Sequence, residues 1–297
     1  MTSYRLKLAL GAGLAAMCVA GAAIAQVEDV TPSKSAAPPA AAPRPAAPRK
    51  AGDPNLTDPR GPVPTDVQLS ALAPANLHKP RPKAPFDLTG TWFVDLAKGP
   101  ASWMFGPPYP KFLPAAQHEF DAATAASKQG RAYHDDIGAC YPAGMPVIMT
   151  RVWPIAMIQL PTAIYMVSGF ENELRIIYTD GRKHTPADVV VPSYDGESIG
   201  HWEGKELVVD TRYFETSHHT IDNGIPISKD FRMVERISLY GKKLHIRYQM
   251  WDPQNWEGEW DSDKAWNRVD DQDITEVECT PDLDQHLPST TSRLNIR

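Results

Sequence analysis

Apolar and polar residues largely alternate, with a two-residue period, in the second half of this chain. The clearest stretches are residues 206–211, 231–239 and 243–248. A two-residue period predicts β-strands that bury one face. Only Tyr240-Gly241-Lys242 separates the last two stretches, and so short a connection predicts a hairpin.

Earlier segments at 91–96, 155–160, 164–167 and 174–178 also have strand-like patterns. One helix is predicted over 114–128, with Gly130 after it as a stop. Turn residues between closely spaced strands favour antiparallel pairing. The predicted fold is therefore mainly β: an antiparallel β-barrel or closed sandwich of the lipocalin-like kind, with one short helix. A barrel is favoured, of a kind that can leave an interior cavity for one small ligand.

The first 25 residues have the features of a secretory signal peptide. Arg5 and Lys7 precede an apolar run over 8–24, and Ala23-Ile24-Ala25 forms an A-x-A cleavage site. A membrane anchor is the alternative, but the run is shorter than a bilayer span requires. We expect a periplasmic or secreted protein without a transmembrane segment after cleavage.

Residues 26–86 contain 14 of the 29 prolines together with many alanines. This composition predicts a disordered linker, because it offers little apolar surface to bury. With 8 basic and 5 acidic side chains, its net charge of +3 would allow contact with the cell envelope. A passive linker is the favoured alternative.

Residues 87–297 are predicted to form the β-barrel domain, and they are strongly acidic. They contain 20 basic and 31 acidic side chains, a net charge of −11. Nucleic-acid binding relies on lysine and arginine neutralising phosphates. The charge therefore argues against a nucleic-acid partner.

Two cysteines, Cys140 and Cys279, remain once Cys18 is removed with the signal peptide. An even number of cysteines in an exported protein predicts a disulfide. A reactive thiol is the alternative, but neither cysteine belongs to a C-x-x-C pair.

Four sequence motifs occur in order along the predicted barrel domain. They are Gly90-Thr91-Trp92, Cys140-Tyr141-Pro142-Ala143-Gly144-Met145-Pro146, Asp180-Gly181-Arg182-Lys183-His184 and Ser198-Ile199-Gly200-His201-Trp202-Glu203-Gly204-Lys205-Glu206-Leu207-Val208-Val209-Asp210-Thr211. Together they resemble a family of exported, largely uncharacterised bacterial proteins, over nearly all of residues 87–280. The chain departs from the family pattern at Thr185 and Lys205. The resemblance implies export but no particular activity. The Gly-x-Trp motif separately resembles the start of lipocalin-type barrels.

Five side chains from the last two motifs are candidate catalytic groups: His201, Glu203, Asp180, Arg182 and His184. Histidine titrates near neutrality, and carboxylates can orient it or share its proton. His201 and Glu203 are two residues apart, so on a strand they share a face that a barrel interior would desolvate.

In this hypothesis His201 acts as general acid or base, Glu203 or Asp180 orients it, and Arg182 holds an oxyanion. The alternative is that Asp180-Gly181-Arg182 and Trp202-Glu203-Gly204-Lys205 are simply turns.

No metal or cofactor is predicted. His218 and His219 are adjacent and lack metal-ligand spacing. The acidic run over 252–284 lacks the glycine and final glutamate of a calcium loop, which favours a solvated acidic face. The sequence contains no phosphate-binding loop, Gly-x-Ser-x-Gly elbow or dinucleotide fingerprint.

Tryptophans are the candidate ligand-binding residues, namely Trp202, Trp251 and Trp256. Four tryptophans fall within residues 251–266, a stretch interpreted largely as a loop over one barrel end. There they could pack on an apolar ligand, or serve only as core.

The sequence thus predicts an exported barrel that binds a small, largely apolar or aromatic molecule. It either carries this ligand or performs cofactor-independent acid–base chemistry on it, as a lyase, isomerase or hydrolase. The alternative is a non-catalytic structural or interaction protein of the cell envelope.

Overall fold

The structure is a computed structural model that describes residues 68–279, apart from 82, 100, 101, 132, 134 and 135. The predicted signal peptide, and the predicted linker as far as residue 67, lie outside the described residues. In the described part of the chain, no helix has the length and apolar character needed to cross a membrane.

Two α-helices, three 3-10 helices and thirteen strands make up the described chain. The helices are α1 (Pro74–Leu77) and α2 (Pro114–Lys128), with 3-10 helices at Ile137–Ala139, Val147–Thr150 and Asp222–Gly224. The strands are β1 (Gly90–Val94), β2 (Lys111–Phe112), β3 (Ile155–Gln159), β4 (Ala163–Ser168), β5 (Leu174–Tyr178), β6 (Glu197–Glu203), β7 (Glu206–Arg212), β8 (Thr220–Ile221), β9 (Ile225–Pro226), β10 (Arg232–Tyr240), β11 (Lys243–Trp251), β12 (Trp256–Glu257) and β13 (Trp260–Val269).

Nine of these strands form a closed barrel, which confirms the predicted fold class. Their order around the barrel is β1-β13-β11-β10-β7-β6-β5-β4-β3, and β3 pairs with β1 to close it. Every neighbouring pair is antiparallel except β5 and β6, which run parallel. The predicted antiparallel pairing is therefore interrupted once, at the crossover between β5 and β6.

The predicted hairpin is confirmed in β10 and β11, which pair continuously from Arg232 with Trp251 to Tyr240 with Lys243. Alternation selects the buried face of both strands. Leu244, Ile246, Tyr248 and Met250 of β11 are all buried, whereas the residues between them are more exposed.

β13, like β6, is a barrel strand that the sequence pattern did not reveal. It pairs with β1 and with β11, so the interpretation of this stretch as a loop is wrong. Trp260, Lys264 and Trp266 are buried two or four residues apart, on one face. An inward lysine breaks the apolar alternation, which explains why the strand was missed.

The predicted helix is confirmed as α2, and Pro114 occupies its first turn. Its small side chains Ala116, Ala123 and Ala126 are buried. A Cβ atom at Gly224 would lie 2.7 Å from the Cβ of Ala123, so glycine is needed where α2 crosses the Asp222–Gly224 turn.

Residues 68–86, which the sequence assigned to the linker, are folded where the structure describes them. They include α1, and Ala71 and Asn76 are buried. Phe86 packs edge-on against Trp202, with 5.1 Å between ring centroids. This stretch therefore belongs with the barrel.

Large side chains occupy the barrel interior, where the sequence predicted a cavity. Trp92, Tyr248, Trp260 and Trp266 are all fully buried in the core. Interiors of small barrels are commonly filled by side chains in this way. A cleft that could hold a ligand lies in the barrel wall.

The predicted disulfide between Cys140 and Cys279 is confirmed, with 5.8 Å between the Cα atoms. The segment before Cys279 is also held by Asn172. Its side chain donates to the Thr275 carbonyl at 2.8 Å and accepts from the Val277 N–H at 2.6 Å. The disulfide therefore fastens the end of the described chain beside the β4–β5 turn.

Candidate functional site

His201 and Glu203 lie together on the outer face of β6. Their side chains contact each other at 2.8 Å and are 59% and 47% exposed. Glu203 also accepts from Arg236 at 3.0 Å, and hydrogen bonds from His201 and Arg236 lower the pKa of Glu203. The prediction that the two side chains share a face holds, but the expectation of a desolvating interior is wrong. Ser198 and Gly200 take the inward positions instead.

Asp180 and Arg182 form an ion pair at 2.7 Å in the turn after β5. The Arg182 guanidinium also lies over the Tyr178 ring, 3.6 Å from its centroid. Gln68 donates to Asp180 at 3.1 Å, and Arg182 donates to the Leu69 carbonyl at 3.3 Å. The pair therefore anchors the start of the described chain. The predicted roles in orientation and oxyanion binding stay predictions.

His184 lies in an outer charged cluster. Its Nδ1 contacts Glu197 at 2.8 Å, and its Nε2 lies 3.6 Å from Asp210. Asp210 also accepts from Arg212 and Arg232, at 2.7 and 2.8 Å. Burial acts to lower the pKa of His184, but the carboxylates of Asp210 and Glu197 outweigh it and raise the pKa.

The predicted catalytic groups do not converge. Glu197, the partner of His184, and Glu203, the partner of His201, lie at opposite ends of β6. Six residues of strand correspond to about 20 Å. His184 and His201 therefore belong to separate surface clusters.

The three candidate tryptophans are also separate. Trp202 packs against Phe86, Trp251 lies under the Arg232 guanidinium at 5.4 Å, and Trp256 is fully buried. The Trp256 ring contacts that of Trp260 edge-on, with 5.9 Å between centroids. Their packing is that of core and barrel-surface side chains.

Asp252 begins the predicted acidic face, but it is fully buried. Ser228 donates to it through its backbone N–H at 2.7 Å and its hydroxyl at 2.6 Å, and the Asn255 side chain donates at 2.8 Å. Asp252 therefore fixes the loop between β11 and β12. For this residue the prediction of a solvated face is wrong.

A cleft of about 590 Å³ opens in the barrel wall between β5 and β6. Sixteen residues line it: Pro142, Glu173, Leu174, Arg175, Ile176, Tyr178, Thr185, Val189, Val190, Val191, Ser193, Tyr194, Asp195, Gly196, Glu197 and Ser198. We call it the wall cleft. Its volume lies within the range of small-molecule sites.

The wall cleft exists because β5 and β6 pair at only two positions, Ile177 with Ser198 and Tyr178 with Ile199. Towards the start of β5 the backbone ladder is missing. The crossover between the strands covers the gap with three successive valines over residues 189–191. Val191 is 86% exposed, which leaves apolar surface in contact with water.

The floor of the cleft is Arg175, which points inward from β5. It donates to Ser198 of β6 at 3.0 Å, to Thr211 of β7 at 2.9 Å and to both carboxylate oxygens of Glu235 on β10. Its Nη1 also approaches the Met145 sulfur at 3.7 Å. These contacts use all five N–H donors of the guanidinium. Arg175 therefore ties four strands together and has no donor left for a ligand.

One end of the cleft is acidic, because Glu173 and Asp195 both line it. The backbone N–H groups of Ala143 and Gly144 donate to Glu173 at 2.6 and 2.9 Å. Burial raises the pKa of Glu173 to about 8, and the carboxylate of Asp195 adds to the rise. Burial also raises the pKa of Asp195 to about 6, against the effect of Arg175.

The Cys-x-Pro-x-Gly-x-Pro motif supplies this end of the cleft. Gly144 has a φ of +63°, and a Cβ atom there would lie 2.5 Å from the Tyr194 carbonyl oxygen. Only glycine tolerates both conditions. Met145 N–H donates to the same carbonyl at 3.1 Å. The motif thus holds the backbone of Tyr194, the residue before Asp195, in place.

Sequence reasoning missed Glu173, Arg175 and Asp195. A signal existed for Arg175, since it shares the inward register of β5 with Ile177. A charged residue on a buried strand face requires a partner or a function. The other two lie outside the strands, where alternation carries no information.

Among the described residues, no group of three or more histidine, cysteine, aspartate or glutamate side chains is arranged to hold a metal ion.

No family model matches the chain, and no curated protein matches it. Fifteen chains of solved structures are similar to it, including the following two. One is the REP1-NXSQ fatty acid transporter, at 12% identity and a TM-score of 0.30, covering 62% of this chain and 98% of the transporter. The other is the fluorescent protein UnaG, at 10% identity and a TM-score of 0.28, covering 61% of this chain and 96% of UnaG.

Proposed function

We propose that this protein binds a small, largely apolar molecule in the wall cleft. The observation that carries the proposal is the cleft itself, whose lining combines an apolar stretch over residues 189–191 with polar and charged side chains such as Glu173 and Asp195. This combination is typical of small-molecule sites, in which apolar walls supply affinity and polar groups fix orientation.

Exposed apolar surface supports the proposal. Leu174, Val189 and Val191 all line the cleft, and their side chains are exposed. Removing apolar surface from water contributes roughly 25 cal/mol per Å². A ligand seated between the crossover valines and β5 would gain this contribution.

A neutral fluorescent probe, N-phenyl-1-naphthylamine, tests the proposal. We expect its emission to rise on binding and to fall when 1-octanol displaces it. Val190→Asp puts a charge in the cleft and should weaken probe binding at least about tenfold. Val152→Asp, on an exposed valine outside the cleft lining, is the matched control and should bind the probe normally. Equal binding by both variants would refute the proposal.

Acid–base chemistry on the bound ligand is a second candidate, favoured by the unequal acidities of Glu173 and Asp195. With pKa values of about 8 and about 6, Glu173 would hold its proton near neutral pH while Asp195 is mostly ionised. Such a pair offers one proton donor and one acceptor. Glu173→Gln should then abolish turnover and keep probe binding.

His201→Ala tests the catalytic role predicted from sequence. A loss of turnover with probe binding retained would support that role for the outer His201–Glu203 pair. If turnover and binding are both unchanged, His201 is not catalytic. If no variant alters binding or turnover, the alternative of a non-catalytic envelope protein gains support.

We also infer that the protein is exported. The signal-like first 25 residues and the Cys140–Cys279 disulfide support an oxidising location. Expression of the full chain in a bacterial host should yield a periplasmic protein that begins at Gln26. Recovery from the cytoplasm with residues 1–25 intact would contradict the inference.

A further inference from the structure

The acidic end of the wall cleft contains a carboxylate oxygen to which no described residue donates a hydrogen bond. The Oδ1 atom of Asp195 is buried and has no hydrogen-bond partner within the described part of the chain. A buried, unpaired carboxylate oxygen is energetically costly. Because Asp195 lines the cleft, a ligand could supply the missing donor.

Glu173 is held in a fixed position beside this oxygen. The backbone donors of Ala143 and Gly144 grip its carboxylate, so it cannot turn away without breaking two hydrogen bonds. Preorganised groups lose little conformational entropy when a ligand binds. The end of the cleft thus presents two positioned carboxyl groups.

The cleft lining offers no cation that is free to neutralise these groups. Arg175 is its one cationic side chain among the described residues, and Ser198, Thr211, Glu235 and Met145 occupy its donors. Glu197, the third carboxylate of the lining, pairs with His184 and with Thr185.

We propose that the wall cleft selects a ligand in which an apolar body carries a cationic amine, with the amine held between Glu173 and Asp195. The proposal rests on the proposed function of the cleft. An ammonium group has three donors and a positive charge. It therefore matches the two carboxyl groups, of which Asp195 has an oxygen without a donor among the described residues. A ligand carboxylate would meet the same groups with repulsion.

The protonation of Glu173 is consistent with a cationic ligand. Near neutral pH the raised pKa of Glu173 keeps its carboxyl group largely protonated. A bound cation favours the ionised form, so the proton should leave Glu173 for the solvent as the amine binds. Besides Arg175 and Asp195, the charged groups that face this end are Glu171, Arg151 beyond it, and the Glu197–His184 pair.

Three probes with the same chain length test whether the cleft prefers a cationic, a neutral or an anionic head group: n-octylamine, 1-octanol and octanoate. At about pH 7 we expect calorimetry to give an amine affinity at least about tenfold above that of the alcohol, with octanoate weakest. Amine titrations in two buffers of different ionisation enthalpy should also reveal proton release. Equal affinities for amine and alcohol would overturn the proposal and leave the proposed function standing.

Variants test which side chains bind the amine and which one releases the proton. Glu173→Gln should remove the proton release, and Asp195→Asn should lower amine affinity at least about tenfold while 1-octanol affinity changes less than about twofold. Glu259→Gln, at an exposed position between β12 and β13 and outside the cleft lining, is the control and should bind the amine as the wild type does. The wild-type probe comparison does not depend on how the variants fold. If no probe binds at all, the proposed ligand-binding function and the proposed preference for an amine both fail.

Discussion

Arg175 and Glu235 form a buried, two-point ion pair across the barrel interior, with side chains 1% and 0% exposed. The pair joins β5 to β10, and hydrogen bonds from Arg175 to Ser198 and Thr211 add β6 and β7. It lies where β5 and β6 lack a continuous backbone ladder. Side-chain contacts therefore stabilise the wall beside the cleft, in place of main-chain pairing.

Arg175→Met should destabilise the protein strongly, because it leaves the Glu235 carboxylate buried without a partner. Losing one member of a buried ion pair costs about 3–5 kcal/mol. Urea denaturation of the variant and the wild type would give the difference in the free energy of unfolding.

The double variant Arg175→Met/Glu235→Leu is the control, because it removes both charges. Replacing a complete buried pair with apolar residues is often close to neutral. We expect the double variant to be more stable than Arg175→Met alone. A double variant as unstable as the single one would contradict the role assigned to the ion pair.

Stability should fall as the pH rises from about 6.5 to about 8.5. The folded pKa of Glu173, about 8, is above its unfolded value of 4.5, so the folded state binds the extra proton. Its stabilising contribution is complete below the unfolded pKa and is lost as the pH rises through the folded pKa. The expected loss is on the order of 1–3 kcal/mol after discounting for partial solvent exposure.

Glu173→Gln isolates this effect. His184 also has a raised pKa and changes stability in the same direction, but it is present in both proteins. The glutamine keeps an oxygen acceptor for the Ala143 and Gly144 amides and does not titrate. Thermal denaturation across this pH range should show a flatter profile for the variant. Parallel profiles would show that Glu173 titrates normally.

Local alternation predicted most strands, including the bounds of β5, because strand formation depends on neighbouring residues. Arg175 and Glu235 could have been noted as charged residues on buried strand faces. Their pairing could not be predicted, since it joins residues 60 apart in sequence and requires the strand order. The same applies to the wall cleft, which depends on the parallel crossover between β5 and β6.

The placement of His201 and Glu203 also depends on strand order, which local alternation does not reveal. Their spacing correctly places them on one face of a strand. Which face is buried depends on the strands beside β6, where Ser198 and Gly200 turn inward and leave His201 outside. His201 and Glu203 therefore share a strand face as expected, but that face is the outer side of the barrel wall.

Reduction of the Cys140–Cys279 disulfide should lower stability. The bond closes a loop with a sequence separation of 139 residues, for which the chain-entropy model gives about 5 kcal/mol as an upper value. Urea denaturation with and without reductant would measure the loss. Thiol titration of the unfolded, unreduced mature protein should detect no free thiol, and two free thiols would contradict the bridge.

The most direct test of the central claim is an amide chemical-shift titration of the isotope-labelled mature protein with 1-octanol. Binding in the wall cleft predicts that the largest shifts fall on residues 173–178 and 189–198, which line both walls. Shifts concentrated on the outer His201–Glu203 pair or around Trp251, with the cleft amides unchanged, would contradict the account.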